Sequence, residues 1–335
     1  MSQVSSILQK ATRNKLDRLN IITYPTHERQ NTPFEKVNAN FFLWQGEGIK
    51  NWEDKYAPLP KNFILLNPKH GDKQIPDYIT PDVVFSQNKM AHYPISRKIA
   101  QKYDIPLVNL EHCLPWPNIS QQQFQQMFSM QGNVNVFISD YSRKKWGFDE
   151  SNSVVIEHGV DSSLFSPPTE ELKREGVMVC VNDYINRDWC CGYSIFQQIT
   201  GHPNNPSFNY KIVGNTPGLS EPAKSVPDLV NHYNTSKVFL CTSTVSPISF
   251  ALLEAMSCGL PVVAMATCAV PEIITHNHNG MISNNPEDLQ KYCLELLEDE
   301  DKRKELGNNA RKTIIERFSL EKFVNNWEKV FRSLV

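Results

Sequence analysis

One acidic side chain interrupts an otherwise apolar helical stretch in the second half of the chain. Glu254 lies within Phe250–Met256, where apolar residues recur at the spacing of one helical face. A carboxylate among apolar neighbours is stable only when hydrogen-bond donors reach it. The two adjacent hydroxyl groups of a ribose are donors of this kind. The pattern therefore makes Glu254 a candidate for binding the ribose of a nucleotide.

The loop that precedes this stretch offers a site for an anion. Ser246–Ser249 supplies hydroxyl groups and the backbone N–H groups of a helix start. A helix N-terminus attracts phosphate through these N–H groups and through the helix dipole. Together with a carboxylate for ribose, this predicts a site for a nucleoside diphosphate. The alternative is that Ser249 is only a helix N-cap and Glu254 a surface residue.

A strand–loop–helix–strand unit positions these groups. The apolar run Lys237–Cys241 predicts a buried parallel strand before the loop, and Pro261–Ala264 predicts the strand after the helix. Gly259 is suited to end the helix between them. In α/β domains, ligands bind at the carboxyl ends of the strands, which is where this loop begins.

The same alternation of short apolar runs and helical segments extends along the whole chain. It predicts an α/β fold with a doubly wound sheet in each half. Further strands are predicted at Leu19–Tyr24, Phe41–Trp44, Phe63–Leu66, Val83–Phe85, Leu107–Leu110, Val134–Ile138, Val177–Val181, Tyr210–Gly214 and Gly280–Ile282, and helices at Ile95–Tyr103, Gln121–Met130, Pro286–Leu306 and Ser319–Leu334.

Composition limits the class of protein. The 335 residues suit two domains, and 40% hydrophobic with 21% charged residues is typical of a soluble protein. A net charge of −2 argues against nucleic acid as the main partner, and no apolar run is long enough to cross a membrane. Residues 1–18 lack the core of a signal peptide and predict a polar leader, or a helix with at most peripheral membrane contact.

The eight cysteines indicate a reducing compartment. They contain no C-x-x-C pair, and several fall in predicted strands, so we expect buried thiols and a cytoplasmic location. A zinc site formed by Cys268, His276 and His278 is the competing interpretation, but its spacing matches no established pattern. We therefore expect no metal site and no cofactor.

The run S-F-A-L-L-E-A-M-S-C-G-L-P-V-V-A, followed by P-E-I-I and N-G-M-I, resembles the signature of the retaining glycosyltransferase family 4, also called glycosyl transferases group 1. The resemblance implies the GT-B fold, two Rossmann-like domains that face each other across a cleft. It implies an acceptor domain over residues 1–165 and a donor domain over residues 166–317. The last helix, over residues 318–335, would pack back on the first domain.

The resemblance also assigns residues to the nucleotide-sugar donor. The second glutamate of the family's E-x7-E pattern falls on Glu254, while the first falls on Ser246. The family's diphosphate-binding Arg and Lys fall on Asn182 and Arg187. Arg187 keeps a positive charge suited to phosphate, although an ion pair with Asp183 or Asp188 is its alternative role. The turn at Gly214 and Asn215, and Ile248 and Phe250 at the helix start, complete the predicted donor site.

Two histidines are predicted near the acceptor. His27 follows the first strand and His112 follows the strand at Leu107–Leu110. Glu28, next to His27, is predicted to contact the acceptor together with these histidines. His112 resembles the family's cleft histidine, which contacts the donor sugar or assists the acceptor. A purely structural role is the alternative for both histidines.

The resemblance implies a glycosyltransferase of the hexosyltransferase type that transfers a sugar from a nucleotide-sugar, of UDP or GDP type, to an acceptor hydroxyl with retention. The acceptor would be a glycan, a lipid-linked molecule or a small molecule. His112, Arg187 and Glu254 would support the reaction, and the resemblance implies a metal-independent site. Because Ser246 and Asn182 replace charged family residues, a catalytically silent nucleotide-sugar-binding protein is an alternative, as is a nucleotide-sugar epimerase.

Three tryptophans are candidate platforms for sugar rings. Trp116, Trp146 and Trp189 each have the flat apolar face that such stacking requires. Placement in the core is the alternative that we favour from the sequence.

Overall fold

The computed structural model describes residues 17–335 with the exception of residue 205. The chain forms two compact units, the first comprising the described residues up to 157 together with Glu321–Val335, and the second His158–Leu320. The boundary between the first and the second unit therefore falls between Glu157 and His158, before the boundary expected at residue 165. The segment predicted over residues 1–18 lies, up to residue 16, outside the described residues.

The first unit is built on a parallel sheet. Its strand order is β3-β2-β1-β4-β5-β6-β7, so the chain reverses direction across the sheet between β1 and β4. Every neighbouring pair of strands is parallel. The strands are β1 (Leu19–Thr23), β2 (Ala39–Leu43), β3 (Phe63–Leu65), β4 (Val83–Ser86), β5 (Leu107–Glu111), β6 (Val134–Phe137) and β7 (Val154–Val155).

Helices connect these strands, as parallel pairing requires. The capping box of Ser120 and Gln123 begins α3, because each side chain bonds the backbone N–H of the other. The helices are α1 (Glu28–Asn31), α2 (Tyr93–Tyr103), α3 (Gln121–Phe128) and α4 (Asp140–Lys145), with short 3-10 helices at Thr32–Lys36 and Pro68–Lys73.

The second unit has a parallel sheet with the order β12-β11-β10-β8-β9. Its strands are β8 (Val177–Cys180), β9 (Tyr210–Val213), β10 (Val238–Cys241), β11 (Val262–Met265) and β12 (Met281–Ser283). Its helices are α5 (Asp188–Cys191), α6 (Tyr193–Thr200), α7 (Val226–Asn234), α8 (Phe250–Ser257), α9 (Val270–Ile273), α10 (Pro286–Glu298) and α11 (Glu300–Arg317).

Local signals explain where α8 begins and ends. The Ser249 hydroxyl accepts a hydrogen bond from the N–H of Leu252 at 3.4 Å, so Ser249 is the N-cap as predicted. Gly259, with φ of +67°, turns the chain in the left-handed conformation after the helix.

The single helix predicted over Pro286–Leu306 is wrong. The structure has two helices there, α10 and α11, which are separated at Asp299. Asp299 is extended, and its carboxylate accepts from the N–H of Lys302 at 2.9 Å. The local bond of an N-cap aspartate thus begins a new helix.

The last helix, α12 (Leu320–Arg332), packs on the sheet of the first unit. Its buried aromatic side chains include Phe323 and Trp327. The Trp327 ring lies 4.8 Å from that of Phe85 in β4, and the Phe323 ring lies 5.0 Å from that of Phe34. This aromatic stripe is therefore part of the first unit's core.

The prediction of an α/β fold with two doubly wound parallel sheets is confirmed by these strand orders. No helix in the described part of the chain combines the length and the apolar character needed to span a bilayer.

Candidate functional site

The strand order of the second unit defines where a ligand would bind. From β8 the chain passes to β9 on one side, and then crosses to β10 on the other side of β8. In open parallel sheets, ligands bind at the carboxyl ends of the two strands between which the order reverses. Here these strands are β8 and β10. The segment with Arg187 follows the first, and Ser246–Ser249 follows the second.

The loops after β8 and β10 are bonded to each other. The N–H groups of Thr244 and Val245 donate to the carbonyl oxygen of Cys190 at 2.9 and 3.2 Å. The Thr244 hydroxyl donates to the carbonyl oxygen of Trp189 at 3.1 Å. The short helix α5, which begins next to Arg187, is therefore fixed to the loop that leads into α8.

Glu254 is buried within α8, with 3% of its surface exposed. The hydroxyl of Tyr233, itself fully buried in α7, donates to Glu254 Oε2 at 2.9 Å. The alternative of a surface carboxylate is therefore wrong. An ionised carboxylate offers about four acceptor positions, and the Tyr233 hydroxyl occupies one of them.

Arg187 is exposed at the carboxyl edge of the sheet. Its Nη1 lies 3.5 Å from the carbonyl oxygen of Asn182. Among the described residues, neither Asp183 nor Asp188 forms an ion pair with Arg187, and the Asp188 carboxylate instead accepts from the N–H of Ser194 at 2.7 Å. The guanidinium is thus available to an anionic ligand, and the alternative of a surface ion pair is not what the structure shows.

The turn after β9 is held against the loop after β8. The Asn182 side-chain oxygen accepts from the N–H of Asn215 at 2.8 Å. Gly214 has φ of +143°, and a Cβ there would overlap the carbonyl oxygen of Val181. Only glycine fits this position, because the two backbones approach so closely. Asn182, Gly214 and Asn215 are therefore brought together, as the predicted donor site requires.

The helix start around Ser249 is only partly accessible. Ser246 and Ser249 are half-buried, whereas Ile248 is 7% exposed. The Phe250 ring lies 4.1 Å from the ring of His158. The contact of Tyr233 with Glu254 and the place of His158 beside Phe250 were not predicted. A tyrosine at the apolar positions of a helix has the pattern of an ordinary core residue, so the sequence gives no signal for the hydrogen bond from Tyr233 to Glu254.

In the first unit, the loops after β1 and β5 bring the two predicted histidines together. His27 is exposed and His112 is half-buried, with Nε2 of His112 3.5 Å from Oε1 of Gln87. Burial, together with the nearby His27 and His92, lowers the pKa of His112 to about 3. His112 is therefore a neutral imidazole at neutral pH.

Glu28 has a different environment from the one predicted. It is 1% exposed, and both of its oxygens lie 2.6 Å from Nζ of Lys50. Oε1 also accepts from the N–H of Glu53 at 3.1 Å. The predicted acceptor contact is thus corrected to an internal ion pair, because a carboxylate so occupied is poorly placed to bind a ligand.

The tryptophans differ in exposure. Trp146 is 1% exposed, which confirms its place in the core. Trp116 and Trp189 are 56% and 59% exposed, so the prediction that they lie in the core is wrong. Stacking of a sugar ring on either remains a prediction.

Comparisons with known proteins agree on one class. Residues 222–313 match the family model described as Glycosyl transferases group 1. The chain is 34% identical over 90 residues, 26% of its length, to an uncharacterised glycosyltransferase of Methanocaldococcus jannaschii. It is 30% identical over 98 residues, 29% of its length, to the N-acetyl-alpha-D-glucosaminyl L-malate synthase of Bacillus anthracis. These matches span 23% and 26% of the two relatives.

The fold resembles a solved structure over nearly its full length. The crystal structure of Anabaena HepE in complex with UDP covers 95% of this chain and all of its own, with a TM-score of 0.72 and 17% identity. With the two strand orders, this likeness confirms the predicted GT-B class of fold, two Rossmann-like units. The family match includes Ser246–Glu254, whereas Arg187 and the first unit lie outside it.

Proposed function

We propose that this protein is a glycosyltransferase that moves a sugar from a nucleoside-diphosphate sugar to an acceptor hydroxyl, with retention of configuration and without a metal. The observation that carries the proposal is the buried carboxylate of Glu254 in the segment that matches the glycosyltransferase family model. It lies in the helix after β10, one of the two strands at the reversal point of the second sheet.

The donor site is assigned as follows. Glu254 accepts hydrogen bonds from the ribose hydroxyls. Arg187 and the backbone N–H groups at the start of α8 bind the diphosphate, and they stabilise the negative charge that develops on it as the glycosidic bond breaks. Ser246 and Asn182 contribute hydrogen bonds without charge, so Arg187 provides the fixed positive charge of the assigned site.

His112 contributes a neutral imidazole to the reaction. A group with a pKa near 3 is a weak base at neutral pH, so general-base catalysis by His112 is disfavoured. We assign it to hydrogen bonding with the acceptor or the transferred sugar. His27, which is exposed beside it, is assigned to the same region of the first unit.

The relatives guide the choice of donor to test. HepE was crystallised with UDP, and the Bacillus anthracis relative is named an N-acetyl-alpha-D-glucosaminyl L-malate synthase. UDP-sugars, including UDP-N-acetylglucosamine, are therefore the first candidates, followed by GDP-sugars. The proposed location is the cytoplasm, in keeping with buried thiols such as Cys241 and Cys293.

A turnover assay separates the proposal from its rivals. Purified protein is incubated with UDP- and GDP-sugars, with and without a panel of glycan and small-molecule acceptors. Release of nucleoside diphosphate that depends on the acceptor supports the transferase. Conversion of the sugar without an acceptor supports an epimerase. Binding without turnover supports the catalytically silent protein, which the uncharged Ser246 and Asn182 favour.

A further inference from the structure

Two buried groups of opposite charge lie next to His112 in the first unit. Lys89, in the loop after β4, is 1% exposed, and Glu111, the last residue of β5, is 3% exposed. The strands β4 and β5 are neighbours, so both groups lie at the same carboxyl edge of the sheet. Ionisable groups are rarely buried without a reason, because taking a charge out of water is costly. Neither group has an assigned role in the proposed reaction.

The Lys89 ammonium is held by apolar rings and one carbonyl. Nζ donates to the backbone oxygen of Met130 at 2.5 Å, and it lies 5.6 Å from the ring centroids of Trp146 and Phe148. In the described part of the chain, no carboxylate reaches ion-pair distance of this nitrogen. Burial lowers the pKa of Lys89 to about 8, and the charge of Glu111 partly offsets this effect.

The Glu111 carboxylate collects backbone N–H groups from two loops. Oε1 accepts from the N–H of Cys113 at 3.1 Å, and the N–H groups of Lys89 and His112 also donate to the carboxylate. Burial raises the pKa of Glu111 to about 7, whereas these hydrogen bonds and the charge of Lys89 lower it. Such N–H bonds are strongest when the carboxylate is ionised.

The backbone that carries His112 is thus fixed on both sides. On one side it is bonded to Glu111. On the other, the carbonyl oxygen of Cys113 accepts from Nε1 of the buried Trp146 at 2.8 Å. The Glu111 carboxylate is therefore bonded to the backbone segment that carries the His112 side chain.

We propose that Glu111 is a positioning residue for His112: its ionised carboxylate holds the backbone of His112, and the buried Lys89 ammonium favours the ionised form of this carboxylate. The role in catalysis rests on the proposed function, whereas the positioning of His112 does not. Other titratable groups of the described residues near His112 are His27, from the loop after β1, and His92, whose ring stacks on that of Tyr24 at 4.4 Å. Cys113, whose N–H donates to Glu111, is a further titratable residue next to His112.

The inference predicts opposite pH effects on activity and on stability. Activity rises with pH as Glu111 ionises and holds His112. The pKa of Glu111 is raised on folding, so its contribution to the free energy of unfolding is complete below about 4.5 and is lost as pH rises through about 7. If Glu111 only supported the fold, its effect on activity would follow its effect on stability.

The test compares wild type with Glu111→Gln, Lys89→Met and the exposed control Glu150→Gln. We expect kcat of the wild type to show an acidic limb that Glu111→Gln removes. Lys89→Met should shift this limb to higher pH by about one unit, since removing a nearby positive charge raises a carboxyl pKa. Glu150→Gln should keep the wild-type profile. An acidic limb that persists in Glu111→Gln overturns the inference.

A second readout needs no turnover. The imidazole NMR signals of His112, assigned with His112→Gln, are followed in the wild type from pH 5 to 9, a range above the pKa of His112. We expect them to shift as Glu111 titrates, and this shift to be clearly smaller in Glu111→Gln, where Lys89 still titrates within the range but Glu111 does not. Signals that do not move with pH overturn the positioning role. If they move but no nucleotide-sugar is turned over, the proposed function fails and the positioning role stands.

Discussion

At the scale of single residues, the proposed donor site separates two kinds of recognition. Glu254 is buried and accepts a hydrogen bond from Tyr233, whereas Arg187 is exposed and makes no ion pair among the described residues. A buried carboxylate recognises neutral hydroxyl groups by hydrogen bonding. An exposed guanidinium recognises the charge of a phosphate and is sensitive to salt.

Arg187→Gln tests the assignment of the diphosphate. We expect the affinity for a nucleoside diphosphate to fall about tenfold or more, because a charge-assisted bond contributes roughly 1.5–3 kcal/mol. The affinity for the nucleoside alone should not change. Titration calorimetry with both ligands measures the difference, and Arg97→Gln, at an exposed position of α2, serves as the control. An equal loss for both ligands would place Arg187 away from the phosphates.

Residue roles were predictable where the neighbours in sequence determine them. The burial of Glu254 follows from the apolar residues around it, and Ser249 was recognised as the N-cap. The partner Tyr233 could not be predicted, because its contact depends on how α7 packs against α8. Glu28 was assigned to the acceptor from its place after β1, but the direction of its side chain is set by Lys50, which lies 22 positions away.

At the scale of elements, close backbone contacts fix the loops of the donor site. The loop after β8 and the turn after β9 approach each other at Gly214. Helix α5 and the loop after β10 are joined by the bonds to Cys190. These contacts fix the positions of Arg187 and of Ser246–Ser249.

Gly214→Ala tests the first of these contacts. Its Cβ would overlap the carbonyl oxygen of Val181, so we expect a loss of about 1–3 kcal/mol in the free energy of unfolding of the second unit. Gly218→Ala is the matched control, since Gly218 also has a positive φ, of +76°, but nothing lies within 4 Å of its added Cβ. Denaturant unfolding should show the larger loss for Gly214→Ala. Equal losses would mean that backbone conformation alone, and not the close approach, requires glycine.

Trp327→Ala tests the contribution of α12 to the first unit. Trp327 is 1% exposed and packs on Phe34 and Phe85. Removing such a side chain costs about 3–5 kcal/mol. We expect faster amide hydrogen exchange in β1 and β4, while Val335→Ala, at an exposed position, leaves exchange unchanged. Unchanged exchange in Trp327→Ala would show that α12 does not stabilise the sheet.

The elements were predicted best where they are apolar and short. The runs at Leu107–Leu110 and Lys237–Cys241 became β5 and β10 with small changes at their ends. The break between α10 and α11 was missed, because charged residues continue on both sides and only Asp299 marks the new start. A single N-cap signal is easily overlooked within a long polar helix.

At the scale of the whole molecule, buried histidines make stability depend on pH. Burial lowers the pKa of His92 to about 4, below its ordinary value of 6.5. The folded protein therefore keeps His92 neutral while the unfolded chain takes up a proton. Its contribution is fully present above pH 6.5 and is lost as pH falls towards 4.

His92→Gln should reduce this dependence. Between pH 4 and 6.5 we expect the free energy of unfolding to change with pH less steeply than in the wild type, by up to about 1.4 kcal/mol per pH unit. Thermal unfolding across this range measures the slope. A slope identical to that of the wild type would show that His92 titrates in the folded state as it does in the unfolded chain.

The two-unit architecture itself was open to prediction from the alternation of strands and helices. The strand order was not, because pairing between distant strands leaves no local signal. It is this order that places the loops after β8 and β10 at the reversal point of the second sheet. Side chains in loops recognise the donor and the acceptor, and the periodicity of the sequence is least informative in loops.

The central claim is that Glu254 binds the ribose of a nucleotide, and calorimetry with Glu254→Gln tests it most directly. The variant keeps the size of the side chain and an oxygen for Tyr233. UDP and GDP are titrated into both proteins, together with analogues that lack the ribose hydroxyls. For whichever of UDP and GDP the wild type binds more tightly, we predict that the variant binds about 10- to 100-fold more weakly, a loss of roughly 1.5–3 kcal/mol in binding free energy. The corresponding analogue without ribose hydroxyls should bind both proteins equally. Unchanged affinity of the variant for a nucleotide that the wild type binds would contradict the account.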